Sequence, residues 1–166
     1  MSKKIALLIP CIIDVNYPFE GLDVIIDNIE YEYDIFAFTS KSSEKYIKQL
    51  KNVKVCKFLE DDVSYIKEDQ MIEGKKDSIS IRQIYKAKIC FELFEEYVNK
   101  NNENYHMVYK LRTPKKNIGY NLYKNSLYIP ETVEDNVLFM LTDHFFGGSF
   151  SNIKKICNYY DFIFSF

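Results

Sequence analysis

The chain has 166 residues, enough for one domain with a buried core and too few for two domains of ordinary size. Hydrophobic residues make up 47% of the sequence and aromatic residues 16%, which excludes an intrinsically disordered protein. The formal net charge of −2 gives no general attraction to nucleic acid, so we expect no nucleic-acid partner and any basic site must be local.

The cysteines indicate a reducing compartment. They form no C-x-x-C pair and have no histidine at metal-ligand spacing, so we expect reduced, buried thiols in a soluble, cytoplasmic protein rather than a zinc site. The basic and apolar start of the chain lacks a small-residue cleavage site and leads directly into Asp14, so we predict no signal peptide. No stretch approaches the roughly 18 to 20 apolar residues that a transmembrane segment needs.

Strand and helix patterns alternate in the first part of the chain. Lys4 to Ile13 is a nearly continuous apolar run that predicts a strand buried on both faces, with Pro10 marking its end. The following segments predict a helix over Gly21 to Ile29, a strand over Tyr33 to Phe38, a helix over Ser42 to Asn52 and a strand over Val53 to Phe58. This alternation predicts one α/β domain over residues 1–166, with three layers and a mostly parallel, Rossmann-like sheet between helices.

A long acidic connection over residues 59–78 precedes the longest predicted helix, Ser80 to Asn101. The Asp61–Asp62 pair in this connection suits a solvated surface loop better than a metal site. Gln83 lies one turn into the helix, at the end where ligands of α/β proteins bind, so it is a candidate substrate contact. Its spacing from Ser80 also fits a capping box, which would explain Gln83 without any ligand.

A buried strand then leads into a cluster of positive charge. The stretch YHMVYKLRTP, from Tyr105 to Pro114, has strand composition, places Lys110 and Arg112 at its far end and is followed by two further lysines. Guanidinium groups match phosphate oxygens two at a time, so this strand end is a candidate seat for a diphosphate. A solvated, lysine-rich hairpin turn is the alternative.

The last third of the chain contains a possible hairpin over Ile118 to Pro130 and a buried strand over Val137 to Thr142. This strand is followed by Asp143, His144 and a glycine pair that would let the backbone approach a ligand. A final helix is predicted to open at Ser151. The chain ends in the apolar sequence FIFSF, which indicates either packing on a second copy or a partner domain, or a truncation.

The sequence has no G-x-G-x-x-G, no P-loop and no G-x-S-x-G elbow. One strand end carries Lys110 and Arg112, and the other carries the candidate catalytic pair Asp143 and His144; both should lie at one edge of the sheet. Together they suit transfer from a phosphate-bearing donor, because cations stabilise the leaving group while a carboxylate accepts a proton from the attacking hydroxyl. The alternative is that Asp143 and His144 form a plain strand-terminal turn.

The ordered stretches YDIFAFTS, RQIYKAKICFELFEEY, YHMVYKLRTP, SLYIP and TDHFFGGSFSNIKKICNYYDF resemble small GT-A-type glycosyltransferases of capsule and lipopolysaccharide loci and of large DNA viruses. The resemblance implies a GT-A-type sheet and a nucleotide-sugar donor, with a glycan or polysaccharide as acceptor. By this resemblance, Gln83 and Tyr85 match the start of the family's helix. Arg112 matches the arginine of its strand, and Asp143, Phe145 and Ser149 match its later turn. It also places Pro10, Cys11 and Thr39 at the border of the nucleotide pocket.

The chain departs from the family at Pro114, which stands where the relatives have a metal-binding acidic residue. Proline cannot ligate a metal, so the resemblance does not imply dependence on Mn²⁺ or Mg²⁺. Two alternatives follow. Either Lys110, Arg112 and the lysines after them replace the metal in neutralising the diphosphate, or the domain is a non-catalytic nucleotide-sugar-binding or interaction module.

Overall fold

A computed structural model describes residues 3–10, 26–27, 29–60, 79–112, 130–134, 138–142, 145–159 and 161. In chain order, its elements are β1 (Lys4–Ile9), β2 (Glu32–Ser40), a 3-10 turn (Lys41–Ser43), α1 (Glu44–Ile47), β3 (Val53–Leu59), α2 (Ile79–Asn101), β4 (Met107–Leu111), β5 (Leu138–Thr142), β6 (Phe145–Gly148) and α3 (Phe150–Cys157).

The strands form one sheet in the order β3-β2-β1-β4-β6-β5. Neighbouring strands from β3 to β4 are parallel, whereas β6 is antiparallel to both β4 and β5, so five of the six strands run in one direction. The predicted α/β class with a mostly parallel sheet is confirmed. Strands β2 and β3 lie in succession on one side of β1, and β4 lies on the other side of β1. The strand order therefore reverses between β1 and β4.

Helices lie on both faces of the sheet because the buried strands are apolar on both sides. On one face Leu7, Ile35 and Tyr109 pack with Ile47 of α1. The opposite face packs against α2 and α3, and its buried residues include Leu8, Phe36, Val108, Cys90, Phe91, Phe94 and Ile153. The rings of Phe36 and Phe94 meet edge to face with centroids 4.9 Å apart, so α2 packs directly against β2.

The helix predicted over Ser42 to Asn52 is much shorter in the structure. A 3-10 turn and the single α-helical turn α1 replace it. The chain turns at Asn52, whose φ of 60° lies in the left-handed region that asparagine tolerates better than most residues. The Asn52 carbonyl accepts a hydrogen bond of 2.9 Å from the Ile35 N–H of β2. The residue before β3 is therefore already bound to the neighbouring strand, and the helix does not extend to it.

The glycine pair after Thr142 lies within a strand, because Phe145–Gly148 is the antiparallel strand β6. Gly147 pairs with Tyr109, and a Cβ added to it would stand 2.3 Å from two carbons of the Tyr109 ring. This glycine makes room for a buried tyrosine rather than for a ligand. The final helix begins at Phe150, and the Ser149 hydroxyl caps it by accepting a 3.3 Å hydrogen bond from the Asn152 N–H.

Other predictions fall partly or wholly outside the described residues. These are the helix over Gly21 to Ile29, of which Ile26 and Asp27 are described as helical, the hairpin over Ile118 to Pro130 and the apolar end of the chain. All cysteines in the described part of the chain are free thiols. Cys90 and Cys157 are buried as expected, whereas Cys56 is exposed because its strand, β3, lies at the edge of the sheet.

Candidate functional site at the carboxyl edge of the sheet

The candidate site lies where the strand order reverses, at the carboxyl ends of β1 and β4. Ligands of open α/β sheets bind in the crevice outside such a switch point. Leu8 of β1 pairs with Lys110 of β4, so continuing this register by two residues brings Pro10 level with Arg112. Pro10 is buried and Arg112 is half-buried. The structure therefore brings these two predicted site residues to the same edge.

Helix α2 starts at the same edge and adds Gln83. The Arg112 side chain donates a hydrogen bond from Nη1 to Oε1 of Gln83, with a length of 3.2 Å. Helix α2 begins at Ile79, and the side-chain carbonyl oxygen of Gln83 faces Arg112. This contact places Gln83 beside Arg112, and the capping box with Ser80 stays the alternative interpretation.

Lys110 lies deeper than Arg112, on the same face of the sheet. It is 7% exposed, and its ammonium nitrogen is 5.1 Å from the centroid of the Phe146 ring, a cation–π distance. Burial raises the pKa of the Cys157 thiol to about 12, and the nearby charge of Lys110 partly opposes this shift. Lys110 thus stands by the last turn of α3, where a helix dipole favours a positive charge.

Thr39 belongs to the other face of the sheet. It is fully buried near the end of β2, and strand alternation places it on the side of Ile35 and Ala37, which packs against α1. Phe38, the preceding residue, faces α2. The structure therefore places Thr39 at the carboxyl ends of the strands but on the opposite face of the sheet from Gln83 and Arg112.

Three predicted site residues, Cys11, Asp143 and His144, lie outside the described residues. The chain neighbours of the latter two are Thr142, which ends β5, and Phe145, which begins β6. Phe145 pairs with Leu111, the residue before Arg112. The described neighbour Phe145 is therefore next to the strand end that carries the arginine.

The sequence analysis did not identify Lys86 as a buried charge. Lys86 lies on α2 one turn beyond Gln83 and is only 4% exposed. Helical spacing was the available signal, because Lys86 lies three residues after Gln83 and four before the buried Cys90. A cation at this position adds to the positive charge of the α2 side of the sheet.

A second polar cluster lies at the amino ends of the strands, opposite the candidate site. Buried Asp34 accepts a hydrogen bond of 2.6 Å from the Tyr105 hydroxyl and pairs with the Lys4 ammonium at 2.8 Å. A bulge in β3 brings Lys54 to 3.5 Å from the same carboxylate. Because Tyr105, Lys4 and Lys54 all contact the same buried carboxylate of Asp34, we interpret this cluster as structural.

Titration of this cluster depends on burial and on its hydrogen bonds. Burial raises the pKa of Tyr105, and the hydrogen bond to Asp34 raises it further. For Lys4, burial alone would lower the pKa, but the hydrogen bonds and charges of Asp34 and Glu103 outweigh it, so the net pKa is raised. Both groups therefore keep their protons to higher pH in the folded protein than in the unfolded chain.

No family model matches the chain, and neither a curated protein nor a solved structure matches it. Among the described residues, no group of three or more histidine, cysteine, aspartate or glutamate side chains could hold a metal ion. The helices in the described part of the chain include none that is long and apolar enough to cross a membrane.

Proposed function

We propose that the chain is a glycosyltransferase that moves a sugar from a nucleotide-sugar donor to a glycan or polysaccharide acceptor. The observation that carries the proposal is the hydrogen bond between Arg112 and Gln83, which holds a guanidinium group at the carboxyl edge of the sheet beside the reversal of strand order. A guanidinium held in this position suits the diphosphate of a nucleotide sugar. The family resemblance supports the same ligand class.

In the proposed reaction, the bond between the anomeric carbon and a phosphate oxygen breaks while the acceptor hydroxyl forms the new bond to that carbon. Negative charge develops on the departing nucleoside diphosphate, and Arg112 stabilises it. Lys110 adds positive potential from its deeper position beside Phe146. Asp143, the next residue in the sequence after β5, accepts the proton of the acceptor hydroxyl in this proposal.

Binding and turnover with a panel of UDP-, GDP- and dTDP-sugars, each with and without Mn²⁺, test the proposal. We expect Arg112→Ala to weaken donor binding by about 1.5 to 3 kcal/mol, the range for a charge-assisted hydrogen bond. Lys100→Ala is the control, because it removes a positive charge from an exposed position in the last turn of α2, at the other end of the helix. Failure of the unmodified protein to bind or turn over any donor would refute the proposal.

Pro114 favours a second candidate, a binding module that holds a nucleotide sugar without transferring it. It occupies the position of the acidic residue that the related enzymes use for a metal. This candidate predicts that a donor binds but that neither hydrolysis nor transfer follows, with or without Mn²⁺. Turnover that requires Asp143 would exclude it.

A further inference from the structure

The hydrogen bond from Arg112 determines how the side-chain amide of Gln83 is oriented. Arginine has donors and no acceptor, so only the carbonyl oxygen of the glutamine can face it. With Oε1 directed at Nη1 of Arg112, the two N–H groups of Gln83 Nε2 are turned away from the guanidinium.

The Nε2 group has no hydrogen-bond partner among the residues that the structure describes. Gln83 is half-buried, in the second turn of α2, on the side that faces the sheet. A ligand at the carboxyl edge would consequently meet N–H donors from both Gln83 and Arg112.

We propose that Gln83 and Arg112 act as a donor-only pair that binds unprotonated phosphate oxygens, and that Gln83 has two roles in it. As a positioning residue it holds the guanidinium through Oε1, and as a binding residue it donates from Nε2 to the ligand. The identity of the ligand as a diphosphate rests on the proposed function. The two-role assignment of Gln83 rests on the geometry.

Two substitutions separate these roles. Gln83→Met keeps the length of the side chain but removes both the acceptor and the donors. Gln83→Glu keeps an acceptor for Arg112 but replaces the amide donors with a charged acceptor oxygen that repels phosphate. Gln49→Glu is the matched control, since it makes the same change in charge at an exposed residue after α1.

Dissociation constants are measured by calorimetry for UDP, GDP and inorganic pyrophosphate, and unfolding midpoints are measured in parallel. We expect Gln83→Met to weaken binding about tenfold and Gln83→Glu to weaken it more. The new carboxylate of Gln83→Glu still accepts a hydrogen bond from Arg112, now charge-assisted, so the unfolding midpoint of this variant should be no lower than that of the unmodified protein. Gln49→Glu should bind as the unmodified protein does. In an Arg112→Met background, Gln83→Met should weaken binding less than it does in the unmodified protein, because there is no guanidinium left for Gln83 to position.

The outcomes distinguish this inference from the proposed function. If the unmodified protein binds none of the three probes, the proposed diphosphate site is wrong, and a diphosphate is then also wrong as the ligand of the Gln83–Arg112 pair. If the unmodified protein binds a probe and both Gln83 variants bind it equally well, the donor-only pair is refuted while the proposed function stands. Equal losses from Gln83→Met with and without Arg112 would overturn the positioning role.

Discussion

Replacing Gly147 with alanine tests the packing that places β6 against β4. The added Cβ would stand 2.3 Å from two carbons of the Tyr109 ring and 3.0 Å from the terminal methyl of Met107. Carbon atoms pack at about 3.5 to 4.0 Å, so the ring would have to move by about 1.2 Å or more. Tyr109 is only 1% exposed, and a shift of that size disturbs its packing in the core.

Overpacking of this kind costs about 1 to 3 kcal/mol. Alanine recovers about 0.5 to 1 kcal/mol of backbone entropy relative to glycine within a strand, so the middle of the two ranges gives an expected net loss of stability of about 1.2 kcal/mol. Urea denaturation followed by far-UV circular dichroism measures it. Tyrosine fluorescence serves as the second probe, since the chain has 14 tyrosines and no tryptophan.

A double-mutant cycle with Tyr109→Leu decides whether the ring is the cause. The smaller side chain should relieve the clash, so Gly147→Ala should be neutral or slightly stabilising in that background, with a coupling of about 1 to 3 kcal/mol. A loss of the same size in both backgrounds would refute the reasoning. So would a Gly147→Ala variant with full stability.

Two further predictions concern the amino edge of the sheet and the cap of α3. Tyr105→Phe removes a hydrogen bond to the buried carboxylate of Asp34 and should cost about 1.5 to 3 kcal/mol at neutral pH, whereas Tyr31→Phe at an exposed position should cost almost nothing. The pKa values of Tyr105 and Lys4 are raised in the folded state, so their contributions are fully present below about pH 10 and decline as pH rises above it. Stability curves measured up to alkaline pH should fall less steeply for Tyr105→Phe, and an unchanged slope would count against this account. Ser149→Ala should cost about 1 kcal/mol in urea denaturation through loss of the helix cap, and no loss would show that the cap does not contribute.

The repeating patterns of the sequence predict most of the fold, because they are local consequences of burial. Continuous apolar runs predict β1, β2 and β4, and the three-and-four spacing of Phe91, Phe94 and their neighbours predicts α2 within a residue or two. The strand β6 could not be recognised in this way. Its four residues include two glycines, which disfavour strands, and pairing with β4 and β5 overrides that preference.

For the site, the pattern of residues along the chain was enough to place Gln83, Lys110 and Arg112 at strand and helix ends and to identify them as candidates. Their contacts with one another and with the rest of the protein depend on tertiary packing. It joins Arg112 to Gln83 across 29 positions of sequence, places Lys110 beneath α3 and puts Thr39 on the opposite face. The reason is physical: periodicity specifies which side of its own element a residue occupies, whereas the register of strands and the packing of helices specify what it meets there.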